Sequence, residues 1–518
     1  VCIVSEEENE MIAKNIDVKL NVRPIYIGLV HEYAYEGPCR FGEGDALEKE
    51  YDQMVSRETY EIFKQDVFSH VPAGINMMDP IYLEATDEWV NSEKIYETLS
   101  AEIDKIDLFV FNFQIARGFI YVEFAQRFHK TVAMIPHSCC EETLNTAALH
   151  ARGHEAYAFY SWADYEGYLR ALRTRKALQN TRVLVASRFS SVKSYGGTDN
   201  FVNLEEITNR LGVKFRNISV HELLDQLHEV DPYSNPTILG RKGQNINAED
   251  TALAEKLADE FIANADEVRM DRAAIIDTFK AYVLVQKLMD HYECNAFTAP
   301  CPDLCSTRRL SEERVTFCLT HSLNIENGIP SACDLDFNSL LTQAILENLS
   351  GKSVYMGNAN VCSLEDGKLP TIFGDFDDAH IDHLDDKTNL YSMFHATPTR
   401  KFDGFEQPLK KYSVDSFAYS GFSATVRYDF MQDEGQEITV CRIDPTGTKM
   451  LAAKGTIVAS AGYDGKSCGQ GLFFRVADNK DLFYKQCEFG CHLTLVYGDY
   501  IEDLKKFGKV TGIEIVTA

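Results

Sequence analysis

The chain runs to 518 residues, of which 45% are hydrophobic and 25% charged; this is ordinary globular usage, which excludes wholesale disorder and leads us to expect two or three domains. A formal charge of −28 opposes phosphate backbones and anionic lipid surfaces at long range, so no nucleic acid and no membrane is expected as a partner, and small neutral or cationic molecules fit better. No apolar run approaches the roughly 18 residues needed to cross a bilayer, and "VCIVSEEENEMIAKN" turns acidic where a secretory leader would continue, so a cytoplasmic location is expected.

In chain order, the first part alternates β-branched or aromatic runs with helical patterns. "RPIYIGLV" (23–30), "IDLFVFNF" (106–113) and "TVAMIPHS" (131–138) predict buried strands, with amphipathic segments such as "DEWVNSEKIYETLSAEI" between them. This is the rhythm of a parallel sheet with crossover helices. The charged helix "YEGYLRALRTRKALQNT" leads into a new strand, "RVLVASRF" (182–189), which places a first α/β domain at 1–175. The rhythm then repeats. "DRAAIIDTFKAYVLVQKLMDHYEC" predicts a helix, "NAFTAP" and "NGIPSACDLD" strands with turns, "NSLLTQAILENLSGKS" a helix stopped at Gly351, and "VYMGN" a further strand, giving a second α/β domain at 176–360. Beyond it, "SATVRYDF", "EITVCRID", "MLAAKGTIVAS", "GLFFRVA" and "HLTLVYGDY" are short runs separated by Gly, Asp and Pro, with little helix before "IEDLKKFGK". They predict an antiparallel β-domain, a barrel or a sandwich, at 361–518.

Asp334 and Asp336 fall at the carboxyl end of a predicted strand and beside a helix N-terminus, the place where open α/β sheets bind ligands. Asp is also a favoured N-cap, so helix capping accounts for them as well as chemistry does. Two nearby carboxylates hold a hard cation, or serve as acid and base when their surroundings separate their pKa values. His395 and His492 each lie beside β-like sequence, where a histidine is either a hydrogen-bonded structural residue or a ligand for manganese, iron or zinc. "GDFDDAHIDHLDD", with Asp375, Asp377, Asp378, His380, Asp382 and His383, lacks the glycine and closing glutamate of an EF-hand and reads as a solvated loop. The 14 cysteines show no paired C-x-x-C spacing, which favours reduced thiols; Cys301 and Cys305 have no partner pair for zinc, and "HSCCEE" lacks a placed third member for nucleophilic catalysis. "RFGEGD" and "YGGTDN" match no nucleotide-binding loop.

Taken together, "GIPSACDLDFNSLLTQAILENLSGKSVYMGN", "FHATPTRKFDGF", "YSVDSFAYSGFSATVRYDF", "EITVCRID" and "GCHLTLVYGDY" resemble the L-fucose/L-arabinose isomerase family, in particular its broad branch of fucose-isomerase-related proteins. The blocks keep order and spacing over residues 290–505, whereas residues 1–180 agree only in α/β rhythm. The resemblance implies two Rossmann-like α/β domains followed by a C-terminal antiparallel β-barrel, assembled as a trimer or hexamer. It also implies Mn2+, or another divalent cation, and interconversion of an aldose and a ketose through an enediol. In that chemistry a metal grips and acidifies two adjacent sugar oxygens while carboxylates move a proton between C1 and C2.

Position by position, the family's first metal-binding glutamate falls at Asp334, where relatives read alanine, cysteine, glutamate, glycine, aspartate and this chain reads "ACDLD". The second acidic ligand falls at Asn358 and the C-terminal ligand histidine at His492, while His395 matches a histidine of the β-domain. Asp334 and Asp336 are thus the expected catalytic residues, Asn358 and His395 the substrate-binding ones, and Asp334, Asn358, His395 and His492 the metal ligands. Two positions depart from the pattern. Asp334 withdraws its carboxylate by roughly 1.5 Å relative to glutamate, and Asn358 is neutral and cannot serve as a base. They leave open another reaction on a sugar or glycoside, hydrolysis or elimination, and a non-catalytic sugar-binding protein.

Overall fold

Strands that are apolar on both faces need helices on both sides, and the chain supplies them twice. The computed structural model describes residues 13–30, 48–85, 92–112, 119–137, 140–187, 197–229, 243–301, 304, 308–363, 369, 376–418, 420–463 and 468–518. They divide into two compact units, residues 19–173 and the remainder.

Residues 19–173 build a parallel sheet ordered Ile75–Met77, Leu20–Leu29, Leu108–Phe111, Thr131–Met134, Ala156–Tyr157, with Ile81–Ala85 paired to the second half of Leu20–Leu29. Helices Lys49–Ser69, Ser92–Ser100, Phe119–Phe128 and Cys140–His150 alternate with these strands. Ile25, Ile27, Phe109, Phe111, Phe124 and Val132 form its core, where the buried Asn112 amide bonds both the N–H and the C=O of Ile27.

In the larger unit, Ser331–Ala332, Ala296–Thr298, Arg182–Ser187 and Lys214–Ser219 form a second parallel sheet in that order. Next to it stands a closed antiparallel barrel of six strands: Glu437–Ile443, His492–Tyr497, Tyr355–Val361, Leu390–Phe394, Gly471–Val476 and Lys449–Ala461, which pairs back to Glu437–Ile443. Closure leaves these strands no free edge. Tyr355, Tyr391, Met393, Leu493, Leu495 and Tyr497 take part in the core on one face of their strands. Period-two alternation therefore turns Asn358, His492 and Thr494 to the other face. The helix Phe337–Ser350 packs on strands Glu437–Ile443 and His492–Tyr497, and its Asn338 amide donates to the carbonyls of Ile443 and Asp444.

Three elements differ from the sequence-based expectation. Tyr355–Val361, placed by its position before residue 360 in the second α/β domain, is a barrel strand flanked by His492–Tyr497 and Leu390–Phe394. Ala424–Arg427 belongs to a separate small sheet with Ser413–Ser416 and Glu267–Val268. A helix, Asn479–Gln486, precedes the last barrel strand, its N-terminus capped by Asp478.

Candidate functional site

The segment between strand Ser331–Ala332 and helix Phe337–Ser350 is bent. Asp334 and Leu335 both adopt left-handed backbone, with φ of 63° and 56°, a conformation costing a non-glycine residue roughly 1–2 kcal/mol. Four hydrogen bonds hold it. The Leu335 N–H donates to Ala299 O (3.2 Å), the Asp336 N–H to Cys333 O (3.1 Å), Asn200 Nδ2 to Leu335 O (2.9 Å) and the Phe337 N–H to Asn200 Oδ1 (3.0 Å). The bend aims the two carboxylates at different targets.

Asp336 points inward, with 3% of its surface exposed. Its Oδ1 accepts the Ser339 N–H (2.8 Å), the N-cap bond of helix Phe337–Ser350. Its Oδ2 accepts from Ser339 Oγ (2.9 Å), Arg442 Nη1 (2.7 Å) and His492 Nδ1 (2.7 Å). Burial pushes its carboxyl pKa up, but the Arg442 charge and the hydrogen bond and charge of His492 outweigh this and hold it well below the usual range. Arg442, fully buried, also bonds Phe489 O, His492 O and Asp199 Oδ2.

His492 lies between the two carboxylates. Nδ1 bonds Asp336, and Nε2 sits 3.8 Å from Asp334 Oδ2 with no hydrogen-bond partner among the described residues although it is buried. Burial lowers the imidazole pKa, but the Asp336 bond, reinforced by Cys491, raises it well above its ordinary value. A carboxylate on Nδ1 with Nε2 left open is the arrangement that orients a histidine toward a metal ion.

Asp334 is more open, its side chain 28% exposed. Oδ2 faces His395 Nε2 at 3.6 Å as well as His492, and Oδ1 accepts from Cys333 Sγ at 3.4 Å. Burial raises its pKa, while the bond and charge of His395 and the charge of His492 bring it below its ordinary value. Donor atoms of Cys333, Asp334 and His395 lie within 4.8 Å of one another, a group able to hold a metal ion. The His395 and His492 ring centroids are 5.5 Å apart. The Ala396 N–H donates to His395 Nδ1 (3.1 Å), so the neutral ring carries its proton on Nε2. Ligation through Nε2 would move that proton and forfeit a bond worth about 1 kcal/mol, against roughly 10 kcal/mol or more for a bound zinc ion.

Other elements brace the cluster. His395 donates its N–H to Gln470 O (3.0 Å), and five residues on Arg400 forms a buried bidentate pair with Glu326 of helix Cys318–Glu326 at 2.8 and 2.7 Å. The same helix supplies His321, fully buried, whose Nδ1 meets Ser331 Oγ (2.8 Å) and whose Nε2 has no hydrogen-bond partner among the described residues. Burial first, then the His395 charge, lowers its pKa to about 3. Asn358 lies directly opposite His492 in the antiparallel ladder and is half-buried.

Sequence reading missed Arg442, His321, Cys333 and Asp199 as partners of the site. The available signals were an arginine inside the apolar strand "EITVCRID" and polar residues inside the buried helix "CLTHSLNIE". The acidic loop near 380 is locally satisfied: Asp377 caps the short helix Asp378–Ile381 and pairs with His380 at 2.9 Å. Asp375, Cys139 and Cys305 lie outside the described residues. A cavity of 350 Å³ lined by Asn360, Phe483, Gln486, Cys487 and Cys491 adjoins the cluster in sequence but includes none of its members. No protein-family model matches the chain, and no curated protein matches it.

Proposed function

We propose that the larger unit is a divalent-metal aldose–ketose isomerase acting on a small sugar, of the kind its resemblance to the fucose-isomerase-related proteins implies. One observation carries the reading: the His492 imidazole is held by Asp336 on Nδ1 and faces Asp334 with an open Nε2, while His395 approaches the same Asp334 oxygen. Residues some 160 positions apart converge on one carboxylate, as an ion-binding centre requires.

Asp334, His395 and His492 would hold the ion, with Mn2+ the family expectation. When bound, such an ion supplies Lewis acidity that lowers the pKa of a sugar hydroxyl and fixes two adjacent oxygens. Asp334, the more exposed carboxylate, would take and return the C1/C2 proton. Asn358, beside His492, offers an amide to a substrate hydroxyl. Asp336 acts as a positioning residue: both its oxygens are engaged by Ser339, Arg442 and His492, and it is buried where Asp334 is partly exposed. For the same reason a glycoside-hydrolase pairing of Asp334 with Asp336 lacks a free second acid.

The test is metal-loaded protein incubated with a panel of aldoses in deuterated water. We expect a ketose from at least one sugar, deuterium at C2, and a loss of about 10²–10⁴-fold in kcat for Asp334→Asn. Absence of both ketose and label across the panel would refute the isomerase reading. Light scattering on the purified chain tests the trimer or hexamer.

A further inference from the structure

We propose that Cys333 supplies a thiolate ligand to the ion at Asp334, so that this centre is built for a thiophilic divalent ion such as zinc rather than for manganese. The inference rests on the metal-dependent reading above and adds the donor that decides which ion is taken.

Buried cysteines usually fill space as small hydrophobes. Cys333, although 3% exposed, instead turns its Sγ onto Asp334 Oδ1 at 3.4 Å, and the same carboxylate is faced by imidazole nitrogens at 3.6 and 3.8 Å. Bond lengths of about 2.0–2.1 Å to N or O and 2.3 Å to S, set at tetrahedral angles, give donor–donor edges of about 3.3–3.6 Å. The Cys333 spacing of 3.4 Å and the His395 spacing of 3.6 Å fall within the tetrahedral set, and Cys333, Asp334 and His395 form one group of donors, whereas His492 at 3.8 Å stands just outside that range. A second thiol, Cys301, hydrogen-bonds Cys333. Thiolate and imidazole donors together favour zinc or cobalt, whereas carboxylate, carbonyl and water suit manganese. On coordination the Cys333 proton passes to solvent, and the sulphur's bond to Asp334 is exchanged for one to the ion.

The experiment strips the full-length protein with a chelator and titrates it with Co2+, reading the sulphur-to-cobalt charge-transfer band in the near ultraviolet. Wild type should show the band. Cys333→Ser should lose it and bind Co2+ at least about tenfold more weakly, whereas Cys301→Ser should keep it; matched urea midpoints would verify folding of each variant. Competition followed by Mn2+ paramagnetic resonance should show zinc displacing manganese, with a preference that narrows in Cys333→Ser. Cobalt bound without the band in wild type, or a band that survives Cys333→Ser, overturns the thiolate ligand. If binding without the band is abolished by Asp334→Asn, the metal-dependent reading stands and only the thiolate falls. If wild type takes up no cobalt, both fall.

Discussion

Asp336 and Arg442 form a buried ion pair at 2.7 Å whose weight lies in what its loss leaves behind. Replacing one partner strands the other charge away from water, at a cost of about 3–5 kcal/mol. Asp336→Asn and Arg442→Met should each lose about that much in urea unfolding, and the double variant should lose less than the sum; additive losses would show that the two groups act independently. His321 gives a pH signature. With a native pKa near 3 against about 6.5 unfolded, it binds its proton only in the unfolded chain over that window. Stability of the metal-stripped protein should therefore fall as pH drops from about 6.5, by up to about 1.4 kcal/mol per pH unit, and His321→Gln should flatten that limb. Asp336, whose pKa is depressed, contributes stability above about 3.9 and loses it only as pH falls through its lower native value, so the two groups act in different ranges. His492 has the opposite sign to His321. Its raised native pKa gives stability below about 6.5 that is lost as pH rises through the native value.

At the scale of elements, the barrel sets where His395 stands. Gly471 pairs with Phe394, and a methyl group there would meet the Met393 carbonyl oxygen at 1.9 Å and Phe394 Cα at 2.7 Å. Both are backbone atoms that cannot step aside cheaply. Gly471→Ala should cost about 1–3 kcal/mol or more and, because His395 bonds the neighbouring Gln470 O, weaken metal binding as well. Gly351, the left-handed C-cap of helix Phe337–Ser350, has open space around its Cβ position. Gly351→Ala should carry only the conformational cost of about 1–2 kcal/mol and leave metal affinity unchanged. Calorimetric metal titration of both variants separates the two effects; equal affinities would show that the strand does not position His395.

At the scale of the whole molecule, residues 19–173 have their own parallel sheet and core, and should unfold in one cooperative urea transition when expressed alone. A broad, non-cooperative loss of circular dichroism would contradict that independence. Among the described residues no helix is long and apolar enough to cross a membrane. The ten described cysteines carry no disulfide. The change of period from helical to alternating runs was readable in the sequence and announced an antiparallel β-region after the parallel sheets, because burial on one face or on both imprints itself directly on residue order, although the barrel takes its first strand, Tyr355–Val361, from before that change. Asp334, His395 and His492 could likewise be named one by one. The bend at Asp334 and Leu335 could not, since a leucine occupies the left-handed position that usually announces itself with glycine. Nor could the separate tasks of the two acids, which depend on Arg442 and His492 arriving from strands more than a hundred residues away. Local order thus determined the elements and the candidate side chains. Tertiary structure alone decided which carboxylate is braced from all sides and which stays partly exposed, because desolvation and charge pairing depend on distance in space and leave no mark on spacing along the chain.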